Sequence, residues 1–96
     1  DNNKIYFAKN GTWQDSGDPT SGATGTGAAF TIQSGEDYMP SQQFDNGPTI
    51  QYNFGGCSAF DVASANQDGN GYGNFEYAVP SGYLAICTKN IASDGG

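Results

Sequence analysis

Every apolar run in this chain is cut by a glycine, asparagine or proline before it can complete about three turns of helix, the mean length of a helix in globular proteins. What survives between the cuts is short alternation. Residues 4–8 place Ile5 and Phe7 on one face and Lys4 and Tyr6 on the other, and residues 49–54 place Ile50, Tyr52 and Phe54 opposite Thr49, Gln51 and Asn53. A period of two with turn residues at both ends is the signature of a half-buried strand. The 15 glycines, with many Asn, Ser and Thr, leave little material of high helix propensity, so almost no helix is expected.

Leu, Ile, Val and Phe make up only 14 of 96 residues, and the net charge is −7, a combination that ordinarily points to disorder. Six Phe, six Tyr and one Trp offset it, because they bring large apolar area at low rotamer cost and fall inside the alternating runs. A chain of this length holds one core at most, and residues 1–96 are read as a single module.

Asn10-Gly11 closes the first run as a hairpin turn, with residues 12–14 returning. Residues 15–27 carry turn chemistry throughout and read as a long exposed loop. Strands are expected at 28–32 and 38–44, Pro40 demanding an edge or bulge in the latter. The 49–54 strand is the cleanest, with Ile50, Tyr52 and Phe54 as core. After it, 57–62 extends or crosses, 64–74 is a second Gly- and Asn-rich loop, 75–77 re-enters the sheet, and 83–88 is a last strand buried on both faces. Short strands at this spacing indicate an all-β sandwich or barrel.

The chemistry available is narrow. There is no His, and neither Cys57 nor Cys87 has an imidazole partner, so serine and thiol triads are excluded and no enzyme is expected. The pairs Asp15/Asp18 and Glu36/Asp37 have the residue types of a glycosidase acid and base, but they sit in loops, where solvated turn residues are the commoner explanation. Residues 68–76 repeat oxygen ligands at alternate positions like a calcium loop, yet the closing bidentate position falls on Val79, and no metal or other cofactor is assigned. Two cysteines allow one disulfide, which spacing does not fix. Asn10-Gly11-Thr12 is a glycosylation sequon only in a eukaryotic secretory setting. Tyr6, Trp13, Tyr72 and Tyr83 have the makings of a ligand groove, although large aromatics are more often core.

Three basic against ten acidic residues argue against nucleic acid and anionic lipid as partners, and no run approaches a membrane span. The chain opens at Asp1-Asn2-Asn3 without Met and without an apolar leader, a start consistent with a fragment of a longer protein.

The order of elements resembles a known family. Ile5-Tyr6-Phe7-Ala8-Lys9-Asn10-Gly11-Thr12-Trp13, then Ser16-Gly17-Asp18-Pro19, Tyr38-Met39-Pro40 and Tyr52-Asn53-Phe54-Gly55 resemble the carboxy-terminal half of a SPRY domain. The tail from Gly71 to Ile91, with Pro80-Ser81-Gly82-Tyr83 leading into Leu84-Ala85-Ile86-Cys87-Thr88-Lys89-Asn90, looks like the version in structural and tail-associated proteins of tailed bacteriophages. The likeness runs from about Lys4 to Ile91; the family's earlier strands are missing, and 58–74 is longer than in compact members.

The resemblance implies an antiparallel two-sheet, concanavalin-like sandwich, incomplete in this chain and completed by other virion chains, copies of itself or an amino-terminal part upstream of Asp1. It implies a non-enzymatic virion or extracellular module, in a tail fibre, appendage or decoration, whose loops meet a host-surface glycan or protein. Asp18, Asn70 and Tyr72 are the ligand-binding candidates on loops 15–27 and 63–74. The rival readings are a SPRY-type peptide-binding adaptor and a carbohydrate-active enzyme on the related sandwich.

Overall fold

Two short antiparallel pairings organise the N-terminal part of the chain in the computed structural model, which describes residues 2–56 and 61–94. The strands are β1 (Lys4–Ile5), β2 (Ala8–Lys9), β3 (Thr12–Trp13) and β4 (Phe30–Thr31). β2 and β3 form the expected hairpin, with Ala8 opposite Trp13 and Lys9 opposite Thr12. Asn10 and Gly11 both take positive φ, 50° and 77°, the requirement of a type I′ turn and the reason for the Asn-Gly pair. β1 pairs instead with β4, Lys4 opposite Thr31 and Ile5 opposite Phe30, and the Lys4 ammonium donates to Thr31 Oγ1 at 2.7 Å. The expected single strand over 4–8 is therefore split, its halves finding different partners.

The expected loop over 15–27 folds on itself. Two 3-10 turns, Gln14–Ser16 and Gly22–Thr24, shape it, and Asp18 N donates to Thr26 O at 2.9 Å across its waist. Ser21 works in both directions, donating to Asp18 O and accepting from Thr26 N. Pro19 is buried, which an open display loop does not require.

The later strands do not form. Residues 38–44 and 49–54 carry no strand, and Ile50, Tyr52 and Phe54, read as core, are all exposed. Residues 75–77 contribute one bridge, Phe75 to Asn66, and in 83–88 a single ladder-like bond runs from Ile86 N to Phe54 O. The reason is common to all: an alternating segment becomes a strand only when another edge satisfies its amides. The proposed extension at 57–62 lies mostly outside the described residues, as does Cys57; Cys87 is half-buried.

The last described residues form a helix, α1 (Thr88–Asp94), where almost none was expected. Seven residues are too few to hold a helix by propensity. Asn90, buried beneath the 64–75 segment, anchors it, a tertiary contact overriding local preference.

The described residues thus form two small antiparallel sheets, much coil and little helix, a β-type composition. Among them Ala85 and Pro19 are the buried apolar side chains, beside buried Asp68 and Asn90. The radius of gyration is 14.4 Å, above the ~12–13 Å of a compact domain of this length.

Candidate functional site

The densest side-chain hydrogen bonding lies where loop 64–75 meets the 83–90 segment. Asp68 opens an Asx turn: its Oδ1 accepts from Asn70 N and Tyr72 N, both at 2.9 Å. Its Oδ2 accepts from Ala85 N at 2.8 Å and from Asn90 Nδ2 at 2.7 Å. Asn90 Nδ2 also reaches Ala85 O, and Asn90 Oδ1 accepts from Asn70 Nδ2 at 2.9 Å. One carboxylate therefore fixes a loop, an extended segment and a helix. Burial pushes the Asp68 pKa up, but the bonds from Ala85, Tyr72, Asn90 and Asn70 outweigh it and hold the group down at about 2.

This arrangement decides how the calcium-like pattern is used. Both Asp68 oxygens face N–H donors, so the residue that would be the first cation ligand is spent on the protein itself. Among the described residues no cluster of acidic, His or Cys side chains is placed to hold a metal ion.

Asn70 and Tyr72, two of the three ligand-binding candidates, come together on this loop. Asn70 is exposed, with its amide bonded to Asp68 and its side chain tied to Asn90, and Tyr72 lies half-buried with the Lys89 ammonium 5.3 Å from its ring centre. Asp18, the third, sits in the other loop. The Thr20 hydroxyl donates to its Oδ1 at 2.6 Å and the Thr20 amide at 2.8 Å, and these bonds lower its pKa against a smaller opposing effect of burial.

The two loops share a post. Tyr83 donates its hydroxyl to Pro19 O at 2.9 Å, so the segment that holds Asp68 through Ala85 also holds loop 15–27. Burial, then the nearby Tyr6 and Asp18, raise the Tyr83 pKa. The carboxylate pairs find no such setting: Asp15, Glu36 and Asp37 are exposed, and Asp18 is engaged by Thr20. Of the four aromatics weighed for a groove, Trp13 lines a cavity, while Tyr6 packs edge-on against Trp13 at 6.4 Å.

No family model, curated protein or solved structure matches this chain.

Sequence reasoning passed over Asp68 and Asn90 as organisers. The signal was present in Asp68-Gly69-Asn70-Gly71, whose spacing suits a carboxylate capping its own loop amides as well as one ligating a cation. Asn90 carried no local signal, because its role depends on a partner more than twenty residues away.

Proposed function

We propose that this chain is the SPRY-like, concanavalin-type sandwich portion of a bacteriophage virion protein, a non-enzymatic structural or host-attachment module of a tail fibre, appendage or decoration. The observation that carries the reading is the apolar surface left open on the strand-bearing side. Phe7 and Phe30 meet edge-on at 6.3 Å yet remain 54% and 62% exposed, and Met39 beside them is 82% exposed. Ile5, Phe7, Tyr38, Met39, Pro40 and Tyr52 line an open cavity of about 500 Å³. A soluble chain rarely leaves such a surface uncovered, and short open sheets invite a further strand or sheet. Another chain of the particle, a copy of this one or a different virion protein, completes it.

In this reading the cross-tied loops are the display elements, because loops held by a rigid scaffold carry recognition. Asp18, Asn70 and Tyr72 stand on two loops that are both tied to one segment, through Tyr83 and Ala85.

The test is thermal unfolding of the purified chain at several concentrations, followed beside its sedimentation behaviour. The expected result is a transition that sharpens and rises with concentration or on adding the neighbouring virion protein. A sharp, concentration-independent transition in a monomer overturns completion by another chain. Attachment to host cells that is unchanged by Asp18→Ala, Asn70→Ala and Tyr72→Ala overturns the loop assignment.

A further inference from the structure

A second cavity, distinct from the loops and from the open apolar face, lies between the β2–β3 hairpin and residues 75–84. Its volume is about 840 Å³, within the range of roughly 300–1,000 Å³ typical of small-molecule sites. Trp13, Phe75, Tyr77, Pro80 and Leu84 give it apolar walls, and among the described residues Glu76 is the one charged residue lining it. Two of the rings are held in place before any ligand arrives. Tyr6 packs edge-on against Trp13, and the Tyr77 ring lies so close over Gly11 that a Cβ there would come within 2.7 Å of it. Fixed walls lower the ordering cost of binding.

The polar groups of this cavity divide into used and unused. Asn53 is spent, donating to Asn74 O and accepting from Gly55 N. The Trp13 indole N–H, the Tyr77 hydroxyl and the Glu76 carboxylate form no hydrogen bond or ion pair among the described residues. Indole offers only a donor, carboxylate only acceptors, and the phenol both. A ligand that suits all three brings an apolar face for the rings and hydroxyls that both donate and accept. An alkylammonium cation offers no acceptor to the indole N–H, and an anion meets Glu76 and a chain of net charge −7.

We propose that this groove is a saccharide-binding site for a neutral oligosaccharide, its sugar rings stacking on Trp13 and Tyr77 and its hydroxyls engaging Glu76. The proposal deepens the attachment reading and rests on it for the origin of the sugar on a host surface.

Trp13 is the only tryptophan, so its emission reports directly on the groove. The full chain, with its completing partner where one is needed, is titrated with maltotriose, triacetylchitotriose and lactose, and a printed glycan array extends the set. Tetramethylammonium and an arginine amide serve as cationic probes. Saturable change with a neutral saccharide is expected, weakened about tenfold by Glu76→Ala and by Tyr77→Ala and partly restored in Glu76→Gln. Amide spectra of residues 68–90 confirm that each variant keeps its fold.

No response to any neutral saccharide, a response to the cations alone, or an affinity indifferent to Glu76→Ala overturns the proposal. The two readings fail separately. Sugar binding without cell attachment leaves the groove standing and removes attachment, whereas attachment that persists in Glu76→Ala while no sugar binds removes the groove alone.

Discussion

Residues 33–50 and residues 64–90 invert what their sequences promise. The first holds one expected strand and the start of the cleanest one, yet among the described residues no backbone-to-backbone bond joins it to anything, and all of it is exposed. Its ties are side-chain bonds within the same stretch or just past it, Tyr38 with Gln33 and Tyr52 with Gln42. The second region begins as an Asn/Gly-rich loop and contains the only buried carboxylate and the most concentrated hydrogen bonding described. The difference is one of self-sufficiency. An alternating strand needs a neighbour to satisfy its amides, while an Asx loop carries its own acceptor.

The largest effect is expected from Asp68→Ala. It leaves the amides of Asn70, Tyr72 and Ala85 without their acceptor and the Asn90 amide with Ala85 O alone, at a site where water has little access. Amide hydrogen exchange should show protection lost across 66–75 and 85–92 together, with 33–50 unchanged. If only the loop loosens and α1 keeps its protection, the two regions are not divided as described.

Acid should reproduce this more gradually. Hydrogen bonds hold the folded Asp68 pKa at about 2 against an ordinary value of 3.8, so its contribution is complete above the ordinary value and drains away as pH falls from there through about 2. Stability measured by denaturant titration should fall over that window, and Asp68→Asn should flatten the dependence. An equal slope in the variant would assign the acid sensitivity to another group.

Glycine substitutions sharpen the contrast at the level of packing. Gly73 has φ 104°, and an added Cβ would come within 2.5 Å of the Phe75 ring, so Gly73→Ala should cost about 3 kcal/mol. Gly47 has φ 63° with open space around it, and Gly47→Ala should cost only the left-handed backbone strain, about 1–2 kcal/mol. Equal losses in thermal unfolding would mean that the 33–50 stretch is packed as firmly as the Asp68 loop.

The smallest effect is chemical. Asn46-Gly47 and Asn70-Gly71 are both prone to attack of the glycine nitrogen on the asparagine side-chain carbonyl, with loss of ammonia. Gly71 N is engaged by Asp68 O and the Asn70 amide by Asn90, whereas Asn46 and Gly47 sit in an exposed turn. Peptide mapping after mild alkaline storage should find isoaspartate at Asn46 several times sooner than at Asn70.

The legible part of the fold was the part written locally. Asn10-Gly11 specified its turn, and the two flanking pairs followed in register. Phe30 and Thr31 fell inside the expected 28–32 strand, but nothing in the residues named β1 as their partner. Alternation in 49–54 spoke only of which side chains share a face, not of whether an edge exists to pair with. The helix at Thr88–Asp94 was illegible for the opposite reason, since it is held by a contact to Asp68 and not by its own residues. At the candidate site, Asn70 and Tyr72 were recognisable as one loop, while the groove at Trp13, Glu76 and Tyr77 joins segments far apart in sequence.

Ala85 and Pro19 are the only buried apolar side chains among the described residues, and the centre around Ala85 is a carboxylate with its donors. The heat capacity of unfolding follows apolar exposure, and domains of about 100 residues typically show about 1.2–1.5 kcal/mol/K. This chain should fall well below that, with a shallow stability curve and a small denaturant slope. The missing heat capacity should appear instead when Phe7, Phe30 and Met39 are covered, so calorimetry of assembly, more than of unfolding, carries the hydrophobic signature of this protein.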